Sequence, residues 1–289
     1  MMKDFVIITD SGCDVKPELL AEWGVDNIEL SFRFNEDDRD YFNCDMTIDS
    51  FYDRMRNGGI AKTSAINPDR FAALFEKHLQ SGKDVLMLSF SSGLSVTCNS
   101  ARLAAGDLAE RYPDRKIMVV DTLAASAGQG LLVYLAAEKQ KSGCSMEEVA
   151  DYLESIKLNL CHWVTVDDLV YLKRGGRISP TVALVGKALG IKPIIHVDND
   201  GKLISVGKER GRKNALAAVA GKYMETALDP ANGPIFISHG DCREDAEKVA
   251  QLIEAATGAK TALITDLGPV IGAHSGPGTI ALFFLGKER

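Results

Sequence analysis

The first half of the chain alternates short apolar, β-branched runs with stretches whose apolar residues recur every three or four positions, the periods of strand and helix in turn. Phe5 to Thr9 reads as a strand and Lys16 to Trp23 as a helix. Asn27 to Phe34 reads as extended, and the acidic NEDDRD after it as a hairpin or surface excursion. Thr47 to Asn57 predicts a helix capped by Thr47 and stopped by Gly58 and Gly59. Pro68 suits the first turn of another, which sets Phe71, Leu74, Phe75 and Leu79 on one face before Gly82 ends it. Val85 to Phe90 is nearly all apolar, as a strand covered on both faces should be, and Leu94 to Arg111 follows as a helix. Ile117 to Asp121 repeats the strand and Gly130 to Lys141 the helix. Strand and helix in alternation, with short connections, predict a right-handed, doubly wound, mostly parallel sheet with helices on both sides.

After the helix predicted over Met146 to Lys157 the pattern changes. Trp163 to Val166, Pro193 to Val197 and Lys202 to Lys208 are strand-like, and Asn199-Asp200-Gly201 is a hairpin signal between the last two. Helices over Lys213 to Thr226 and Arg243 to Thr257 lie among strands at Pro234 to His239, Thr261 to Thr265 and Thr279 to Leu285. The expected fold class is therefore α/β, in two domains. Residues 1–158 form an N-terminal doubly wound domain, and residues 159–289 a C-terminal α+β domain with a mixed or antiparallel sheet. No repeat or Pro-rich linker separates them, which predicts a tight interface.

Composition narrows the function. Lys+Arg 33 against Asp+Glu 40 gives a net charge of −7, which argues against sequence-independent binding to nucleic acid, since that needs a basic surface. The apolar run in MMKDFVIITD is too short for an export signal, and Leu131 to Ala137 and Ile280 to Leu285 fall short of the about 20 residues of a membrane span. The six cysteines form no C-x-x-C pair and no zinc-like cluster with histidine. A cytoplasmic protein with reduced thiols and no metal is expected.

In an open parallel sheet, ligands sit beyond the carboxyl ends of the strands. There the sequence places Thr9-Asp10-Ser11-Gly12, then Ser89 to Ser95 with Ser91, Ser92 and Ser95, then Asp121-Thr122 leading to Ser126. Lys62-Thr63-Ser64, just before the Pro68 helix, would share that rim. Hydroxyls and N–H groups converging at helix N-termini suit a carboxylate or phosphate, although each such residue taken singly serves equally as a helix cap. Gly268 to Gly278, rich in Gly and Pro, sets the backbone in a tight path around His274 and permits a ligand to approach closely. Leu172 to Arg177 and Lys208 to Arg212 are basic clusters in an acidic chain. They read as solvated faces, as clamps on an anion, or as patches for an anionic membrane or acidic partner. P-loop and dinucleotide fingerprints are missing. Gly93-Leu94-Ser95-Val96-Thr97 is one residue short of a hydrolase nucleophile elbow, so a serine esterase or thioesterase using Ser95, an Asp such as Asp241, and His274 is an alternative reading.

Taken together these segments resemble the DegV family of bacterial fatty-acid-binding proteins. The resemblance rests on TDSGCDV, TS…P, SSGLS, VDT…SAGQG, LVYLKRGGRIS, IKPII…DGKL, KERGRK and GPVIGAHSGPG, in the family's order along nearly the whole chain. It implies a two-domain α/β protein that buries one long-chain fatty acid between its domains, with no cofactor, metal or catalytic residue of its own. It further implies a partner, the ATP-binding subunit of a fatty acid kinase, which makes the acyl phosphate from the presented carboxyl group. A transient contact with the membrane surface is compatible with that role. By the resemblance, Thr63 and Ser95 match the hydroxyls that hold the carboxyl group, His274 the histidine beside it, and Arg210 an arginine near the head group. Ser64, Ser92 and Ser275 complete the expected ligand-binding set. Ala65-Ile66-Asn67 departs from the usual Gln-Pro-Ser, and Val96 and Cys98 from Gly and Tyr, differences that bear on pocket shape. A lipid buffer or sensor without a kinase partner fits the same residues. Each buried methylene contributes about 0.8 kcal/mol, so an apolar tunnel would supply affinity while the hydroxyls offset the cost of burying the charged end.

Overall fold

The computed structural model describes residues 4–178 and 190–289; the last residue of the LVYLKRGGRIS motif lies outside them. Among the described residues, six strands and six α-helices precede residue 157: β1 (Phe5–Asp10), α1 (Pro17–Trp23), β2 (Val25–Ile28), β3 (Ser31–Phe34), α2 (Ile48–Arg56), β4 (Ala61–Ser64), α3 (Pro68–Gln80), β5 (Asp84–Ser89), α4 (Thr97–Arg111), β6 (Ile117–Asp121), α5 (Ala127–Lys141) and α6 (Met146–Ile156). Four of the strands make a wholly parallel sheet in the order β2-β1-β5-β6. Alternation sorts its side chains. Ile7, Leu86, Leu88 and Val120 pack under α1, α5 and α6, while Ile8, Val85 and Met87 pack under α3 and α4. Helices on both faces explain why β5 is buried at every position.

Two expectations are corrected here. The stretch read as one extended run is two strands: β2 joins the parallel sheet, whereas β3 leaves it to pair antiparallel with β4, Phe32 opposite Thr63. The corner is fixed by Ser11, whose Oγ accepts the Leu30 N–H at 2.9 Å. Antiparallel pairing thus begins well before residue 160. The helix after β5 starts at Thr97 rather than Leu94, because Leu94 and Ser95 donate their N–H groups to Ser91 O in a tight turn.

The remaining elements are β7 (Leu160–Thr165), α7 (Val170–Arg174), β8 (Ile191–Val197), β9 (Leu203–Arg210), α8 (Arg212–Thr226), β10 (Phe236–His239), α9 (Arg243–Thr257), β11 (Leu263–Asp266), α10 (Pro269–Ser275) and β12 (Ile280–Leu285). The strands form one mixed sheet, order β11-β10-β12-β7-β8-β9, in which, among the described residues, only β10 and β11 run parallel. Cys161, Ile280, Leu282 and Phe284 face α8 and α9, and the alternate residues Val164, Ala281 and Phe283 face the first sheet. Helix α5 lies between the two sheets and is buried all along Ala127 to Val133, which accounts for its lack of a polar face. The Gly268 to Gly278 segment, expected as a tight path, contains the helix α10; Pro269 occupies its first position and Gly276 (φ 80°) ends it. With α2, β3 and β4, α10 encloses a second aromatic core of Phe32, Phe34, Phe51 and Tyr52. Among the described residues no helix is long and apolar enough to cross a membrane.

Candidate functional site

The carboxyl ends of β1, β5 and β6 open towards the inner face of the mixed sheet, and a cavity of about 410 Å³ lies between them. Gly12, Phe90, Leu94 and Ala125 line one wall; Val164, Val166, Ile195, Val197, Ala281 and Phe283 line the other. The second set alternates along β7 and the residue after it, β8 and β12, so it is one face of one sheet. A cavity of this size and lining is in the range of small-molecule sites.

Two strand-end carboxylates hold the serine-rich loop that forms the first wall. Asp10 accepts the N–H groups of Gly12 (3.1 Å) and Phe90 (2.8 Å), and Asp121 those of Ser92 (3.1 Å) and Leu123 (3.2 Å). Burial pushes the Asp10 carboxyl up to about 6 despite these bonds. Ser91 donates its hydroxyl to Gly201 O at 2.8 Å, which fastens the tip of the β8–β9 hairpin to the same loop. In the wall itself, His162 is held neutral by burial; its Nδ1 is 3.2 Å from Leu160 O and its Nε2 3.4 Å from the Ala125 N–H.

Polar groups gather at one end of the cavity. Thr63 Oγ1 on β4 and His274 Nε2 on the last turn of α10 share a hydrogen bond of 2.8 Å. The His274 ring lies against the backbone of Gly175, where any side chain would overlap it, and its Nδ1 is buried without a partner among the described residues. Arg177 reaches the same place. Its Nε donates to Leu94 O at 3.1 Å and a terminal nitrogen to Gly175 O, and no carboxylate among the described residues pairs with it. Burial, and then the Arg177 charge, push the His274 imidazole down to about 4, so it is neutral at pH 7. Burial also lowers the Arg177 guanidinium below its ordinary value, although not enough to discharge it.

The sequence-derived set divides cleanly. Thr63, Ser64, Ser92, Ser95, His274 and Ser275 all line the cavity. Ser95 Oγ pairs with Thr97 Oγ1 (2.9 Å), and Ser275 donates to Ile271 O (3.2 Å), one turn back along α10. Arg210 is the exception, for it is exposed at the far end of β9. Only Leu203 of that strand lines the cavity, and Arg210 lies seven residues further along it, opposite Ile191 at the start of β8 and outside the lining. Arg177 stands at the polar end instead; its signal in the sequence was the Leu172 to Arg177 cluster, whose glycines give no hint of direction. The hydrolase triad is not assembled, since His274 bonds Thr63 rather than Ser95 and Asp241 pairs with Arg56. Among the described residues no three His, Cys, Asp or Glu side chains are grouped to hold a metal ion.

Comparison with known proteins places this architecture. A DegV domain-containing protein of Clostridium perfringens is 42% identical over 289 residues, 100% of this chain and 99% of its own. Among solved structures, a stearic-acid-binding protein from Eubacterium ventriosum superimposes with a TM-score of 0.89 at 27% identity, covering 98% of each chain. A DegV family protein from Thermus thermophilus, solved for its fatty acid binding, gives 0.86 at 29% identity, over 99% of this chain and 100% of its own. The two-sheet architecture is thus a shared fold, and, since the family model for uncharacterised DegV family proteins matches residues 4–287, the chain belongs to the DegV family.

Proposed function

We propose that the protein binds one long-chain fatty acid in the cavity between its two sheets, acyl chain along the apolar walls and carboxylate among Thr63, Ser95, His274 and Arg177. The observation that carries this reading is a cation with no carboxylate partner among the described residues, beside a neutral, half-satisfied histidine, at one end of a predominantly apolar cavity. A carboxylate there would gain charge-assisted hydrogen bonds that offset its desolvation, while each buried methylene adds about 0.8 kcal/mol. The solved relatives from Eubacterium ventriosum and Thermus thermophilus, which bind fatty acids, support the ligand class.

The protein acts as a carrier that presents the carboxyl group to a separate ATP-binding kinase subunit, which forms the acyl phosphate. Support for presentation is that the polar end adjoins exposed surface: Ser64 and Ala65 are open to solvent and Val96 is 67% exposed. Titration with a long-chain fatty acid and with its methyl ester tests the head-group assignment. The acid binds more tightly, and Arg177→Met weakens the acid by roughly 10- to 100-fold, the worth of a hydrogen bond to a charged group, while sparing the ester. Equal binding of acid and ester by the wild-type protein contradicts the assignment. Incubation of loaded protein with the kinase subunit and ATP tests presentation, acyl phosphate being the expected product.

A further inference from the structure

Asp14 belongs to neither the wall nor the polar end of the cavity, yet it joins the two sheets. It follows β1, is buried, and holds a left-handed backbone (φ 50°) that few residues other than glycine adopt. Its Oδ1 accepts the N–H of Gly268 at 2.9 Å, and its backbone carbonyl accepts the Thr265 hydroxyl at 2.9 Å. Both ends of the corner between β11 and α10 are therefore tied to one residue of the N-terminal half. Tyr52 also donates its hydroxyl to Leu267 O at 3.0 Å, within that corner. The remaining carboxyl oxygen lies 2.6 Å from Ser126 Oγ, which lines the cavity and is itself 2.9 Å from Ser238 Oγ on β10.

Gly268 caps α10, a helix of seven residues that carries His274 in its last turn. So short a helix, about 10 Å long, moves as a rigid piece, and a shift at its start is felt at its end. We infer that Asp14 is a positioning residue for the head-group site, fixing the start of α10 and thereby the place of His274 beside Thr63. Two details agree. A methyl group at Gly268 would lie 3.0 Å from Asp14 Oδ1, so the corner is built for contact with that carboxyl group. Burial also raises the Asp14 carboxyl well above its ordinary range, which favours the protonated acid, a form that asparagine imitates in shape and hydrogen bonding.

This inference rests on the fatty-acid reading, and its test separates the two. The full-length protein is compared with Asp14→Ala and Asp14→Asn for affinity towards a long-chain fatty acid and the alcohol of equal length, and for the imidazole resonances of 15N-labelled His274. Asp14→Ala should weaken the acid about tenfold, leave the alcohol within twofold and move the His274 resonances, and Asp14→Asn should restore all three. Equal losses for acid and alcohol, or unmoved His274 resonances with unchanged acid affinity, overturn it. Should Asp14→Ala not fold, Gly268→Ala gives the same comparison, since its methyl group displaces the corner. If the wild-type protein binds no fatty acid, the ligand reading falls, and the His274 resonances alone decide the role of Asp14.

Discussion

His274 holds the least settled position in the site: a neutral imidazole with one nitrogen bonded to Thr63, the other unpartnered among the described residues, and a guanidinium close by. Its folded value of about 4 lies below the ordinary 6.5, so its contribution to stability is complete above pH 6.5 and is lost as the pH falls towards 4. Asp10 works in the opposite sense. Raised from 3.8 to about 6, it favours the folded state most below 3.8 and loses that contribution as the pH rises through 6. The two overlap, and the His274 effect is isolated by difference. The melting temperature of the wild-type protein relative to His274→Gln should fall between pH 6.5 and 4, and a constant difference across that window would show that the imidazole is not desolvated. At this scale the sequence could suggest that Thr63, Ser95 and His274 share one rim, because they stand out as hydroxyls and a histidine at loop and helix boundaries, and all three line the cavity. Arg210 and Arg177 could not be told apart, because both sit in short basic runs and only the path of β9 and the end of α7 decide which one reaches the cavity.

The helices α5 and α10 show why glycine misleads a reading by propensity. The pattern predicts α5 over Gly130 to Lys141, but the helix starts at Ala127 and uses Gly128 and Gly130 for contact. A methyl group at Gly128 would lie 2.6 Å from His162 Nε2 and 2.7 Å from Phe283, on the inner face of the mixed sheet. Gly128→Ala should therefore destabilise the protein by about 1–3 kcal/mol, as overpacking does, even though alanine is the better helix former. Urea unfolding measures this, and a stabilised variant would mean that the two sheets are less closely joined than described. In α10, Gly272 packs against Tyr52 in the same manner, so tertiary contact makes a helix where the sequence offered only a tight path of Gly and Pro. By contrast α3, capped by Asn67, and α9, ended by Gly258, have ordinary amphipathic patterns and were legible almost to the residue.

For the whole molecule, the change from alternating strand and helix to hairpin-linked strands announced a parallel sheet followed by a mixed one, and the two sheets have those characters. What the pattern could not convey is that one helix serves both sheets and that the inner face of the second sheet is shared between packing on α5 and lining a cavity. Val164, Ala281 and Phe283 do both, and as apolar residues in strands they look the same in either role. A hydrophobic content of 46% therefore covers a core and a lined cavity together, within a chain of net charge −7. The central claim is that this cavity holds a long-chain fatty acid. Mass spectrometry of the full-length protein purified from a bacterial host, first under native and then under denaturing conditions, tests it most directly. The account predicts a native mass above that of the chain by one long-chain fatty acid, which denaturation releases; a native mass equal to the bare chain, unchanged after incubation with fatty acid, would contradict it.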